Sequence, residues 1–197
     1  QTPNDAPSNS PNDDDNASRI IVRQGKRYFR LDAHKVQYNV SQGKSEIISA
    51  SLVDRGANGG FAGADVRVIA INDPKRTADV SGMGNHTIKD LKIGTVAGIV
   101  DTQLGPVIAI MHQYAIYGKG HTIHSSAQME SYGTDVNDKS FQVKGGEQRI
   151  ATLDGHHIPL RFVSGLPYMN MCKPTEEDME SLPHVILTSD NEGDPSS

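Results

Sequence analysis

A chain of 197 residues with 36% hydrophobic residues, 5% aromatics and no Trp supports one modest core with a tail, or two small domains. The formal net charge of -5 offers no basic surplus to a phosphate backbone, which argues against direct nucleic-acid binding. The single Cys172 excludes an internal disulfide and any metal site built on cysteines alone, and no run approaches the roughly 20 apolar residues of a membrane-spanning helix.

Residues 1–18 are Asn, Asp, Ser and Pro with almost nothing apolar, so they are expected to be a disordered acidic and polar tail, the Asp13-Asp14-Asp15 run included. Residues 19–44 carry a basic, partly alternating stretch that fits a linker, a short helix or an N-terminal strand segment. At 45 the texture changes. Ile47-Ile48-Ser49-Ala50-Ser51-Leu52-Val53 reads as a buried strand. It runs into Asp54-Arg55-Gly56-Ala57-Asn58-Gly59-Gly60, whose glycines force a tight backbone path. Residues 66–71 are expected to be the next strand, and 78–81 with 86–88 to form a hairpin around Gly82-Met83-Gly84-Asn85. Strands follow at 91–100 and 107–111. Residues 125–132 hold helix formers and stop at Gly133, a fitting C-cap. Residues 140–143, 148–153 and 157–163 read as a last set of strands. Thr175 reads as the N-cap of a short helix with Glu176, Glu177 and Asp178 in its first turn. The spacing of turns predicts an all-β barrel or sandwich with one or two short helices. The expected organisation is a domain over 45–160 and a C-terminal extension over 161–197, in a chain that opens without Met and reads as a segment of something longer.

Asp54 is the candidate catalytic residue. A hydrophobic strand that ends in Asp and turns at once through Gly holds the carboxylate rigidly and offers it a backbone N–H. Two such carboxyls brought about 3 Å apart share one proton, because both cannot ionise. That pair can deprotonate a water and protonate a peptide carbonyl. Asp-x-Gly alone is common in ordinary turns, where the Asp only caps a loop.

The wider wording adds to this. Leu52-Val53-Asp54-x-Gly56-Ala57 resembles the active-site strand of the retropepsins, and the order of features resembles the protease region of copia-type retrotransposon polyproteins. The flap hairpin of that family matches Met83-Gly84-Asn85, followed by Gly94-Thr95-Val96, the strand at 107–111, and Ile123-His124-Ser125-Ser126-Ala127-Gln128-Met129 ending at Gly133. Gly165-Leu166-Pro167-Tyr168 stands where the pre-integrase region of such polyproteins opens. Copia-like polyproteins abundant in microalgal genomes share Asp-Arg-Gly-Ala-Asn-Gly-Gly at Asp54, Gly-Pro-Val-x-Ala-Ile-Met-His-Gln-Tyr at Gly105, Ile-His-Ser-Ser-x-Gln at Ile123 and Leu-Pro-His-Val-x-Leu-Thr-Ser at Leu182.

The resemblance implies a closed retropepsin-like β-barrel and an aspartic endopeptidase that cuts its own polyprotein inside an intracellular virus-like particle. Asp54 would be catalytic, Arg55, Gly56 and Ala57 would shape the active-site loop, and Met83, Gly84, Asn85 and His86 would form the flap over an extended peptide. It implies a homodimer and no metal, cofactor or membrane. The sequence departs from the family at Arg55, where retropepsins carry a Ser or Thr that hydrogen-bonds across the dimer. It departs again at Ile123-His124-Ser125, where two hydrophobic residues and Gly are usual. A non-catalytic dimerisation or assembly module of the same polyprotein is the alternative implied by Arg55.

Other constellations are weaker. Asp101 follows Ile99-Val100 but Gln103 stands where Gly is needed, and Asp154-Gly155 lacks the intervening residue, so both read as turn residues. His112, His121, His124, His156 and His157 are scattered enough to read as ordinary core and surface histidines rather than metal ligands. Ser125 beside His124 lacks the Gly-x-Ser-x-Gly context of a nucleophile elbow. Gly56 to Gly60 lacks the Gly-Lys-Ser/Thr of a phosphate loop.

Overall fold

Apolar runs cut every few residues by Gly, Asn and Pro give short strands joined by tight turns. The computed structural model describes residues 20–23, 26–29, 35–40, 50–83 and 86–188. The expected tail, residues 47–49, the hairpin residues Gly84 and Asn85, and the polar end from 189 lie outside them. The described chain is mostly β, as its turn spacing predicts. In chain order, β1 (Ile20–Arg23) and β2 (Lys26–Phe29) form a separate antiparallel pair. Then come β3 (Lys35–Asn39), β4 (Ser51–Asp54), β5 (Phe61–Ala62), β6 (Arg67–Ile71), β7 (Thr77–Met83), β8 (His86–Thr102), β9 (Gly105–Ile116) and β10 (Ile123–Ser125). After helix α1 (Ser126–Tyr132) follow β11 (Asp135–Asn137), β12 (Arg149–Ala151), β13 (His157–Pro159), β14 (Arg161–Val163) and β15 (Leu166–Met169). Helix α2 (Glu176–Ser181) and β16 (His184–Ile186) complete the described chain.

The main sheet has the order β14-β15-β4-β10-β5-β9-β8-β7-β3, with β16 beside β9 and β6 beside β8. Among the described residues this path does not close on itself, so the pairing does not show the closed barrel that the resemblance implies. The reason lies in β8, whose 17 residues pair with β7 near their start and with β9 and β6 further on. The β7 arm and its parallel neighbour β3 therefore extend the sheet away from β14.

Alternation along β4 divides its side chains between two cores. Leu52 packs with Tyr38, Phe61, Ile93, Ile123 and Tyr168, whereas Val53 packs with Val96, Val107, Met111, Met129 and Met169. A strand buried on both faces reads as a continuous apolar run, which is why it is visible in the sequence. Each fully buried Leu or Val contributes about 1.5–3 kcal/mol.

The hairpin expected at 78–88 is present as β7 and β8, with Met83 opposite His86. The helix expected at 125–132 is α1, with the Ser125 hydroxyl capping its N-terminus and Gly133 closing it at a φ of 104°. The helix expected after Thr175 is α2, with a capping box between Thr175 and Asp178.

Two expectations need correction. Residues 140–143 form turns, not a strand, with Phe141 and Val143 exposed. Their alternation finds no partner strand, and Asn137 organises the loop instead: its side chain donates to Gly145 O and accepts from Lys139 N and Glu147 N. The run at 157–163 is two strands in two sheets, β13 pairing with β12 and β14 with β15. The chain also continues through residue 160 into the same sheet: β15 pairs with β4, β16 pairs with β9, and Met169, Met171, Val185 and Leu187 enter the core. No helix among the described residues is long and apolar enough to cross a membrane.

Candidate active site

Asp54 is the last residue of β4 and is buried, with 8% of its surface exposed. The turn that follows gives its carboxylate a backbone partner: Gly56 N donates to Asp54 Oδ1 at 2.8 Å. Ala57 N donates to Asp54 O at 3.4 Å and tightens the turn. Beyond it the backbone passes close under two aromatic rings. A Cβ on Gly59 would stand 2.7 Å from the Tyr38 ring, and one on Gly60 would stand 2.3 Å from the Tyr114 ring. Only glycine fits at either position.

β10 lies between β4 and β5, parallel to the first and antiparallel to the second. Its register sets Ser125 opposite Asp54 and His124 opposite Val53. The Ser125 hydroxyl donates to Ala57 O at 2.7 Å and accepts from Gln128 N at 3.1 Å. The Gln128 side chain completes the hold: Oε1 accepts from Gly60 N at 3.0 Å, and Nε2 donates to His112 O at 2.9 Å. His112 and Gln113 form a bulge of β9 opposite Thr95, with Gln113 at a φ of 63°. The Tyr38 hydroxyl donates to Gln113 O, and burial pushes that phenol up to about 12. Asn58 ties the same loop to β3, accepting from Asn39 N and donating to Gln37 O. Because β3 pairs with β7, the loop is linked to the hairpin arm.

Arg55 turns toward helix α1 and β11. Nε donates to Asp138 Oδ2 at 2.9 Å, Nη1 to Glu130 Oε1 at 2.8 Å, and Nη2 to Val136 O at 3.2 Å. Its hydrogen bond to Asp138 leads the interactions that raise its pKa further. Its guanidinium is thus engaged by two carboxylates.

Behind the loop lie two polar groups, Asp65 partly buried and His124 fully buried. Asp65 accepts from the Ser51 hydroxyl, from Thr122 N and from the Thr122 hydroxyl, joining β4 to the entry of β10. His124 is fully buried and shares a 2.8 Å hydrogen bond through Nδ1 with the Tyr114 hydroxyl. Burial pushes its pKa down from 6.5 to about 4, opposed by the nearby Asp65 charge.

Of the flap residues named from the sequence, Met83 and His86 are paired at the end of the hairpin, His86 is exposed, and Gly84 and Asn85 lie outside the described residues. Asp101 is exposed opposite Pro106, and Asp154 lies in the turn between β12 and β13. There Asp154 accepts from the Thr152 hydroxyl, the main reason its pKa lies below the usual carboxylate value. The histidines are engaged locally: His112 with Thr95, His121 near Asp65, His156 with Asp154 and His184 with Met179 O. Among the described residues no three His, Cys, Asp or Glu side chains converge as a metal site.

The sequence reading missed Glu130, Asp138, Gln128, Asp65 and Tyr38. Ser125 and Gln128 have the spacing of a capping box, which is a local signal. The partners of Arg55 have none, since they lie 75 and 83 residues away. Comparison of the chain with protein-family models, with curated proteins and with solved structures finds no match.

Proposed function

We propose that the chain is an aspartic endopeptidase of the retropepsin class, one half of a homodimer that processes a copia-type retrotransposon polyprotein in an intracellular particle. The observation that carries this reading is Asp54 at the end of a doubly buried strand, with Gly56 N on its carboxylate and β10 inserted between β4 and β5. Neither Asp101 nor Asp154 shares this setting, so the second carboxyl is that of Asp54 in another copy, on a two-fold axis. The ionised member of the pair takes a proton from water as its oxygen attacks the scissile carbonyl. The protonated member gives its proton to the carbonyl oxygen. The extended substrate adds as a strand beneath the β7–β8 hairpin. The chemistry needs no metal or cofactor.

The test is cleavage of peptides spanning candidate polyprotein junctions between pH 4 and 7, by protein shown to be dimeric. Pepstatin-sensitive cutting that disappears in Asp54→Asn is expected. A dimeric wild type that leaves every junction peptide intact would sink the reading. A second reading, a non-catalytic assembly module, is favoured by Arg55, whose guanidinium offers no hydroxyl to a second chain. It requires Asp54→Asn to leave self-association unchanged and wild type to be inert.

A further inference from the structure

The loop after Asp54 finds its partners within its own chain. Gly56 N and Ala57 N are bonded to Asp54, Asn58 N to Asn39 O, and Gly60 N to Gln128 Oε1. Ala57 O accepts from the Ser125 hydroxyl, and Gly60 O accepts from Ala115 N. Ala57 and Gly60 are buried and Gly56 and Asn58 exposed, and backbone groups met in this way within one chain have little left to gain from a second. The side chains that meet them cluster on one short element. Ser125 caps α1, Gln128 lies in its first turn and faces inward, and Glu130 lies on its exposed side.

Arg55 completes the arrangement from outside. It leaves the loop between Asp54 and Gly56 and makes four hydrogen bonds to Glu130, Asp138 and Val136. A planar guanidinium clasped by two carboxylates and a carbonyl fixes direction as well as distance, which a lysine ammonium does less well. The loop is thus held on its inner side by Ser125 and Gln128, and on its outer side by Arg55.

We propose that helix α1 and the β11 segment that follows it are the platform that positions the Asp54 loop from within one chain, with Arg55, Ser125 and Gln128 as positioning residues, so that the loop is set before any second copy binds. The catalytic part of this inference rests on the reading of Asp54 as the active-site aspartate, whereas the ordering of the loop does not.

The reporter is hydrogen exchange at Gly56 N, which touches Asp54 and none of the substituted side chains. It is measured by NMR above and below the concentration at which sedimentation shows any dimer to dissociate. Wild-type protection is expected to be the same at both concentrations. Arg55→Ala and Gln128→Leu are each expected to speed the exchange by about tenfold, and Arg55→Lys by less. In peptide cleavage, Arg55→Ala is expected to lower kcat by between about tenfold and a hundredfold with KM little changed, Arg55→Lys recovering most of it. Arg55→Ala is a surface substitution and keeps the test usable if Gln128→Leu does not fold. Loss of wild-type protection on dilution to monomer overturns the proposal, as does unchanged exchange in Arg55→Ala. An inert wild type refutes the protease reading, and the exchange data still decide whether the platform exists.

Discussion

Lowering the pH from 7 to 4 asks the fold to accept a charge in the middle of its core. His124 is fully buried on β10, with Nδ1 on the Tyr114 hydroxyl and, among the described residues, no partner for Nε2. Its folded pKa of about 4 lies below the ordinary 6.5, so the neutral ring is the form the fold prefers. The unfolded chain then binds the proton first as pH falls. The stability contributed by the neutral ring is complete above 6.5 and is lost progressively down to about 4. The gap between these values converts to about 3 kcal/mol, a large share of the roughly 5–15 kcal/mol that holds a typical domain together. Asp154 and Asp178 are held below their ordinary 3.8 by hydrogen bonds from Thr152 and Thr175, so their contribution is lost only at still lower pH. The assay is urea unfolding followed by circular dichroism from pH 7.5 to 4, in wild type and His124→Gln. The Gln amide can still accept from Tyr114 but cannot titrate. Wild type should lose about 3 kcal/mol more than the variant across the window. Parallel curves for the two proteins would refute the assignment.

Three substitutions test the packing around the same loop. Gly60→Ala places a Cβ 2.3 Å from the Tyr114 ring, which is fully buried and pinned through its hydroxyl, so a loss of about 1–3 kcal/mol is expected in urea unfolding. Tyr114→Phe strips His124 Nδ1 of its partner in a dry core and should cost about 1–3 kcal/mol by the same assay. Thr175→Ala removes the hydroxyl that accepts from Asp178 N, leaving the backbone half of the α2 capping box in place, and should cost about 1 kcal/mol. Because α2 buries none of its residues, that loss is expected first as faster amide exchange within α2.

What could be read from the sequence was local. β4 is buried on both faces, so its apolar run ending in Asp54 survives as a one-dimensional pattern. The α1 boundaries are written in Ser125 and Gly133, and the hairpin in the Gly and Asn between 82 and 85. What could not be read depends on partners far along the chain. The parallel pairing of β10 with β4 joins residues about seventy apart and leaves no periodic mark. The direction of Arg55 is set by Glu130 and Asp138, and no feature of Asp54-Arg55-Gly56 announces them. Residues 140–143 show the converse. Their alternation is that of a strand, yet the Asn137 side chain closes the loop around them, donating to Gly145 O and accepting from Glu147 N.

The position of His124 bears on the proposed chemistry. A carboxyl pair that shares a proton works at acid pH, because one member must stay protonated. Yet His124 lies opposite Val53 on the strand that flanks Asp54, and its protonation opposes the pairing that holds the aspartate in place. The acid limb of activity is therefore expected to follow loss of structure. It should deepen with incubation time, coincide with the unfolding transition at the same pH, and move to lower pH in His124→Gln. Pepstatin at about 100 times its dissociation constant adds about 2.7 kcal/mol to a protein that binds it only when folded, nearly the amount His124 removes. At pH 4.5 it should raise the melting temperature of wild type and leave Asp54→Asn where it was. An acid limb that is immediate, reversible and identical in wild type and His124→Gln would show instead that acid inactivation does not run through His124.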